Sequence, residues 1–351
     1  MHIEGTRIWS KVTITFVSMG FAGALAGSAS ADHPTVGFGV EVAGPITTLA
    51  PTPLPKGFLS IGLRVEHINF SAFSDAELES NAETGIEGVH SIDYISVPSL
   101  GLGYGITDDF TLAARIPYVM RKNIREGEIE MGTAEAHSHG NSEGLGDIVL
   151  LGQYRVVDNE DDAYDVTPLL GVKLPTGKTD VEDHGEILET EFQPGSGSWD
   201  PLLGVAASKV IFNFSIYAGV LFQLSTEGSQ DTDLGNSFLY SVAFTYRISK
   251  TTDDVHIHDD GTEHDHGESN SGVGLDLMVE VNGESREKTT VAGESEENTG
   301  GTVLYISPGL RVSALSRWGV FASVGVPVLT DLNGIQTDVD YRVVAGIGVG
   351  F

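Results

Sequence analysis

The chain of 351 residues has no cysteine, few basic residues and one long apolar run, which lies at its N-terminus. Without cysteine, disulfides, thiolate zinc sites and cysteine nucleophiles are excluded. Lysine and arginine number 19 against 50 acidic residues, which argues against a nucleic-acid partner because such a partner needs clustered basic groups. Beyond the N-terminus, no stretch reaches the roughly 18 apolar residues of a membrane-spanning helix. A membrane protein with this sequence must therefore cross the bilayer with strands.

The segment 1–31 has the pattern of a secretory signal peptide. Arg7 and Lys11 precede an apolar run, and Ala29-Ser30-Ala31 then offers an A-x-A cleavage site. The run is short for a helical anchor and ends in small residues, which favours removal. We therefore expect an exported chain that starts at Asp32.

The C-terminal segment 338–351 alternates between apolar side chains and small or polar ones. A period of two predicts a strand with one apolar face. A final strand that ends in an aromatic residue resembles the closing strand of bacterial outer-membrane β-barrels. Tyr341, Val349 and Phe351 are therefore predicted to form the signal read by the barrel-assembly machinery.

The same alternation recurs along the chain and predicts an all-β protein, a transmembrane antiparallel up-and-down β-barrel of about twelve strands. The predicted strands are 57–70, 91–105, 109–122, 145–157, 163–176, 199–210, 212–226, 236–249, 272–284, 301–314, 317–330 and 338–351. An even number of strands predicts that both termini are periplasmic. Short periplasmic turns then alternate with long external connections, except that the long, His-rich connection 250–271 falls on the periplasmic side.

The segment 32–56 precedes the barrel domain 57–351 and is rich in proline. Pro45, Pro51 and Pro53 argue against regular secondary structure. The sequence leaves two alternatives, a flexible periplasmic lead-in or a plug that folds back into the lumen.

Charged side chains on the predicted strands must face the lumen, because a charge facing lipid at mid-depth costs roughly 2–4 kcal/mol. These side chains either brace the wall as ion pairs or form a cationic constriction that selects anionic or polar solutes. The predicted lumen-facing residues are Arg64, Glu66, Arg115, Asp147, Arg155, Lys173, Arg247, Asp276, Glu280, Arg311 and Arg342.

A succession of short phrases goes beyond generic alternation. The phrases are GLGDI at 144–148, QYR at 153–155, GVKLPTG at 171–177, GSGSWD at 195–200, YRI at 246–248, SPGL at 307–310, VPVL at 326–329 and DLNG at 331–334. This succession, from about residue 57 to the end, resembles the transporter-like outer-membrane family named for the meta-pathway of phenol degradation. The resemblance implies a monomeric barrel that passes small, often hydrophobic or aromatic compounds.

The histidines are concentrated in three predicted connections. Residues i and i+2 of an extended chain point the same way, so H-x-H pairs could chelate a metal. Imidazoles beside carboxylates suit Zn, Cu(II) or Ni, and the lack of thiols disfavours Cu(I). The alternative is a solvated polar connection that happens to use histidine. The candidate ligands are His256, His258, His264 and His266, followed by His137, His139 and His184.

The sequence thus predicts a passive channel for a small solute in the Gram-negative outer membrane. The expected partners are membrane lipids, lipopolysaccharide bridged to acidic loops by divalent cations, and the barrel-assembly machinery. Two alternatives stay open, a metal-linked barrel and a structural or adhesive barrel with a closed lumen. Cofactors other than such metals are not expected. His67 and His90 could be proposed for chemistry at the lipid rim, but two interfacial histidines near one loop explain them better, so we do not predict an enzyme.

Overall fold

The computed structural model describes residues 44–86, 88–159, 163–248, 273–314 and 317–351. The predicted signal peptide 1–31, residues 32–43 and the connection 250–271 with His256, His258, His264 and His266 lie outside the described residues. Within the described ranges, no helix has the length and apolar character needed to cross a bilayer.

Twelve antiparallel strands form one closed sheet, which confirms the predicted barrel. Each strand pairs with the next along the chain, and the last pairs with the first. The strands are β1 (Leu59–Phe70), β2 (Tyr94–Thr107), β3 (Phe110–Glu130), β4 (Val149–Tyr154), β5 (Tyr164–Lys173), β6 (Asp200–Ile211), β7 (Phe214–Gln223), β8 (Ser237–Arg247), β9 (Val273–Arg286), β10 (Gly301–Ala314), β11 (Trp318–Leu332) and β12 (Val339–Gly350).

The connections differ at the two ends of the barrel. We call the end that carries loops 71–93, 174–199 and 287–300 the long-loop end, and the end that carries turns 108–109 and 212–213 the short-turn end. The connections contain short elements of secondary structure. They are the helix α1 (Asp75–Glu83), strands His90–Ser91, Thr133–Leu145, Val157–Asn159, Glu182–Asp183, Glu186–Ile187, Thr232–Asp233, Thr290–Val291 and Glu294–Ser295, and 3-10 turns Thr190–Phe192 and Ser229–Asp231.

The barrel closes between its first and last strands. The amide of Phe351 donates to the carbonyl of Leu59 at 2.8 Å, and the amide of Leu59 donates back at 3.1 Å. The side chains of Tyr341 and Phe351 are exposed on the outer face. This face is apolar as predicted, while its role in assembly stays a prediction.

The long connection 123–144 contains a β-hairpin that the sequence did not predict. β3 continues beyond the barrel to Glu130, turns at Met131 and Gly132, and returns as the strand Thr133–Leu145. Positive φ at Met131 (50°) and Gly132 (86°) gives the type of two-residue turn that matches the twist of a β-hairpin. Few side chains of this loop hairpin are buried, so no apolar alternation marks it in the sequence.

Candidate functional site

The inner face of the barrel changes character along its axis, as β1 shows. From the short-turn end, its buried side chains are first Ser60, then the charged Arg64 and Glu66, and finally the apolar Ile68 and Phe70. The lumen therefore has a charged middle and an apolar long-loop end. The sequence analysis placed charged side chains in the lumen and did not predict this apolar part.

The charged middle of the lumen contains a buried carboxylate between two arginines. Glu66 is 0% exposed and lies 3.7 Å from the guanidinium of Arg115 and 3.7 Å from that of Arg342. Arg342 also stacks over the ring of Tyr305 at 4.2 Å and donates to Asn282 at 3.2 Å. These contacts join strands that are far apart in the sequence across the lumen.

A second buried carboxylate holds the segment 44–56 inside the barrel. Glu280 accepts hydrogen bonds from the backbone amides of Ile46 at 2.9 Å, Thr47 at 2.9 Å and Thr48 at 3.3 Å. Hydrogen bonds to an ionised group are stronger than neutral ones, so these three bonds fix the segment firmly.

Two more arginines bind carbonyl groups of the same segment. Arg64 donates to the carbonyl of Ile46 at 2.6 Å, and Arg311 donates to that of Pro45 at 3.2 Å. Further along, the amide of Leu54 donates to the hydroxyl of Thr111 at 2.7 Å. Proline has no backbone N–H, so this segment has fewer hydrogen-bond donors than an ordinary chain. Side chains of the barrel wall form hydrogen bonds with backbone amides and carbonyls that the segment still offers.

Apolar contacts also hold segment 44–56 against the barrel wall. Ile46 packs with Met278, Phe321 and Val344. Leu49 enters an apolar patch of the opposite wall formed by Val149, Leu151, Leu169, Leu202, Ala206 and Leu221. The segment thus crosses the lumen on the short-turn side of the charged middle.

Loop 174–199 folds over the opposite end of the lumen. Its side chains Val181, Leu188 and Phe192 pack with inward-facing residues of the wall, and Gln193 holds the loop together by bonding both Val181 and Leu188. We call the whole group the loop-end apolar cluster. Its members are Ile68, Phe70, Ile92, Ile95, Val97, Val119, Ile124, Val181, Leu188, Phe192, Val303, Tyr305 and Val339.

A cavity of about 90 Å³ lies between the charged middle and loop 174–199. Four cationic side chains line it, Arg115, Arg121, Lys173 and Arg286, together with the carboxylate of Asp147. Arg121 and Arg286 were not among the predicted lumen-facing residues, although Arg121 shares the inward alternation of Arg115. Arg286 was missed because it lies beyond the predicted end of its strand, while β9 extends to it.

Cations around this cavity also have partners in the wall. Lys173 lies 3.6 Å from Asp147 and forms a second ion pair with Asp200, which the sequence analysis did not select. Arg286 pairs with Glu284 at 2.9 Å.

Three of the predicted lumen charges lie near the short-turn end instead. Arg155 pairs with Asp109 and Asp158, each at 3.0 Å, in the connections there. Arg247 forms two hydrogen bonds of 2.7 Å with Asp276, and this pair lines a cavity of about 410 Å³ at the short-turn mouth. The structure therefore separates these three residues from the charged middle of the lumen.

Comparison with known proteins agrees with this architecture. The model of a family described as "Putative MetA-pathway of phenol degradation" matches residues 84–328, well over half of the chain. The chain belongs to this family. No curated protein matches the sequence.

Among solved structures, this family member is similar to the COG4313 outer membrane channel from Pseudomonas putida F1. The two share 13% identity with a TM-score of 0.56, over 86% of this chain and 98% of that chain, which shows a common fold. The TodX deltaS2S3 mutant monoaromatic hydrocarbon channel (9% identity, TM-score 0.44, 85% of this chain and 91% of that one) is more distant. The NanC porin is also more distant (9% identity, TM-score 0.41, 83% of this chain and 98% of that one). The fold and the family together support an outer-membrane location.

Outside the barrel, this member of the family has a cluster of histidines and carboxylates at the long-loop end. His137 and His139 lie on the returning strand of the loop hairpin, and Asp183 and His184 lie in loop 174–199. Their ring centroids are 4.8 Å apart for His137 and His139 and 6.1 Å apart for His137 and His184. Three histidines singled out from the sequence are thus brought together, and Asp183 joins them.

Next to this cluster, His90 is surrounded by three carboxylates. It lies 3.2 Å from Glu126 of β3, 3.3 Å from Glu191 and 3.6 Å from Glu189, and its ring packs edge-on against Phe192. Burial lowers the pKa of His90, but the hydrogen bond to Glu126 and the surrounding carboxylate charges outweigh it and raise the pKa to about 10.

The contacts between His90, His139 and Glu126 also change the pKa of Glu126. Burial raises the pKa of Glu126, but its hydrogen bonds to His139 and His90 and their charges lower the pKa to about 2. His67, the other histidine considered for rim chemistry, lies on β1 beside the ring of Tyr94 at 5.0 Å. His90 is therefore surrounded by carboxylates, whereas His67 lies beside an aromatic ring on the barrel wall.

Proposed function

We propose that the protein is a passive outer-membrane channel for small organic solutes that combine an apolar body with an anionic or polar group. The observation that carries this proposal is the cavity of about 90 Å³ lined by Arg115, Arg121, Lys173 and Arg286, directly below the loop-end apolar cluster. The apolar cluster suits the body of such a solute, and the cations suit its polar group.

The balance of charge favours an anion over a cation. The cavity lining has four cationic groups against the single carboxylate of Asp147. With the charged middle and the wall partners counted together, the seven basic side chains Arg64, Arg115, Arg121, Lys173, Arg286, Arg311 and Arg342 outnumber the five carboxylates Glu66, Asp147, Asp200, Glu280 and Glu284. Ion pairs that brace the wall explain the individual contacts between basic and acidic side chains. Bracing needs only equal numbers of the two, so it does not explain why basic groups are in excess. Because charges interact more strongly in a poorly hydrated interior, the surplus would discriminate against cations.

The size of the cavity restricts the solute. A dry cavity of about 150 Å³ holds one benzene molecule, so a space of this order admits a single ring at most before the surroundings move. The name of the family and the family resemblance support a compound of that kind, such as a simple aromatic acid or phenol.

Two elements stand in the path of such a solute. Segment 44–56 crosses the lumen below the cavity, and loop 174–199 covers it from above. We propose that segment 44–56 is a plug and that conduction requires its displacement. We also propose that the long-loop end faces the exterior, which places the loop at the site of entry.

Flux through proteoliposomes tests the channel and its plug. Glu280→Ala removes the acceptor of three amide hydrogen bonds, each worth about 1.5–3 kcal/mol, so benzoate flux should rise by at least about tenfold. Asp75→Asn is the control, because it also removes one carboxylate but at an exposed position on α1, outside the lumen.

The same vesicles test selectivity. Benzoate should permeate faster than benzylammonium, after the leak into protein-free vesicles is subtracted from each rate. A rate for benzylammonium equal to that for benzoate would overturn the anion preference. Absence of flux in the wild type and in Glu280→Ala would instead favour a structural barrel with a closed lumen.

A further inference from the structure

The histidine cluster at the long-loop end has the geometry of a transition-metal site. His137 Nε2 lies 3.6 Å from Asp183 Oδ2, and His139 Nδ1 lies 3.3 Å from the same oxygen. One ligand atom from each of the three residues lies within 4.8 Å of the others. Ligand atoms of a tetrahedral zinc ion, at bond lengths of about 2.0–2.1 Å, are roughly 3.3 Å apart. Two of the distances are close to this separation, and the third, between the two imidazoles, is no more than 4.8 Å.

A second and independent feature is the position of Glu126. A metal-bound imidazole characteristically donates its other ring N–H to a carboxylate, which fixes the tautomer and the orientation of the ring. The Nε2 of His139 lies 3.6 Å from Glu126, on the opposite side of the ring from Asp183. This arrangement leaves Nδ1, which hydrogen-bonds Asp183 Oδ2 at 3.3 Å, as the ring atom available to a metal shared with Asp183.

The backbone explains why the ligands converge. His137 and His139 are two residues apart on one strand, so both side chains project from the same face of the loop hairpin. Asp183 is presented by a small hairpin, Glu182–Asp183 paired with Glu186–Ile187, whose turn has positive φ at His184 (48°) and Gly185 (92°). His137, His139 and Asp183 are each partly exposed, so an ion can reach them from solvent.

We propose that His137, His139 and Asp183 bind one divalent transition-metal ion, with Zn²⁺ as the best fit, and that Glu126 orients His139. A water or His184, which is exposed beside the site, completes the coordination. Two imidazoles and a carboxylate also suit Cu(II) and Ni, whereas Ca²⁺ and Mg²⁺ prefer oxygen ligands alone. The ion would link the loop hairpin to loop 174–199, which covers the lumen. This inference does not depend on the proposed channel function.

Calorimetric titration with ZnCl₂ tests the site in the full-length protein, refolded and purified without a histidine tag. The background variant carries His256→Asn, His258→Asn, His264→Asn and His266→Asn, so that the other H-x-H pairs do not contribute. In this background, one equivalent of Zn²⁺ should bind with micromolar or tighter affinity. Co²⁺ should give the absorption of a tetrahedral site with nitrogen and oxygen ligands.

Substitution of the ligands then identifies them. His139→Gln and Asp183→Asn, each made in the same background, should weaken binding at least tenfold. His67→Gln, a histidine change on the barrel wall, should leave the affinity unchanged. Heat-dependent migration in gels verifies that each barrel is folded. Zn²⁺ binding weaker than millimolar in the background variant, or binding that survives both ligand substitutions, would overturn the proposal.

Discussion

At the scale of single residues, the lumen buries carboxylates in two different environments. Glu280 is compensated by backbone amides, whereas Glu66 is compensated by the guanidinium groups of Arg115 and Arg342. Taking a charge out of water costs several kcal/mol, and opposite charges must offset that cost. A lumen built in this way tolerates the loss of a carboxylate poorly, because the arginines that remain repel one another.

Glu66→Gln tests this compensation with a side chain of nearly the same shape. The free energy of unfolding should fall by about 3 kcal/mol, because breaking a buried pair leaves charge without compensation. Urea unfolding in detergent micelles, followed by tryptophan fluorescence, measures the change. Asp75→Asn is the control: the side chain of Asp75 is 66% exposed and pairs with Arg125, so its loss should cost at most about 1 kcal/mol. Equal effects of the two changes would contradict a dry, ion-paired lumen.

At the scale of elements, His90 joins three separate parts of the long-loop end. It belongs to loop 71–93, and it faces Glu126 of β3 together with Glu189 and Glu191 of loop 174–199. The pKa of His90 is raised from 6.5 to about 10, so its charged form stabilises the folded loops. That contribution is complete below about pH 6.5 and is lost as the pH rises through about 10.

Distance measurements between spin labels test this pH dependence. The absence of native cysteine allows labels at Glu83→Cys on α1 and Glu186→Cys in loop 174–199, both exposed positions. The distance distribution should be narrow at pH 6.5 and broaden at pH 10. With His90→Gln added, the distribution should be broad at both values. An equally narrow distribution at both values in the labelled protein with His90 intact would show that His90 does not hold the loops.

The sequence predicted the elements of the wall far better than the elements of the connections. Ten or more residues of alternating character identify a strand such as β12, because one face meets lipid and the other does not. The loop hairpin, most of whose side chains are polar, has no such pattern. His137 and His139 were visible by their spacing, but Asp183 and Glu126 could not be assigned to them. Their proximity depends on how two connections fold against each other.

At the scale of the whole molecule, the two ends of the barrel are built for different surroundings. The loop hairpin extends β3 to 21 residues at the long-loop end, whereas β6 and β7 meet in a two-residue turn at the other end. Phe351 and the start of β1 lie together at the short-turn end, as do Gly44 and the mouth cavity. Strands alternate in direction, so an even number returns the chain to the side where it began. The proposed entry of solute through loop 174–199 requires that side to be the periplasm.

Labelling of introduced cysteines in intact cells tests this orientation. Met131, at the tip of the loop hairpin, is 98% exposed, and Phe212, in a short turn, is 90% exposed, so both positions are accessible to a reagent on their own side. A maleimide that cannot cross the outer membrane should label Met131→Cys in intact cells and Phe212→Cys only after the cells are permeabilised. The parent protein has no cysteine and supplies an unlabelled background. The reverse pattern would show that the long-loop end faces the periplasm. The histidine cluster would then meet periplasmic rather than external metal ions.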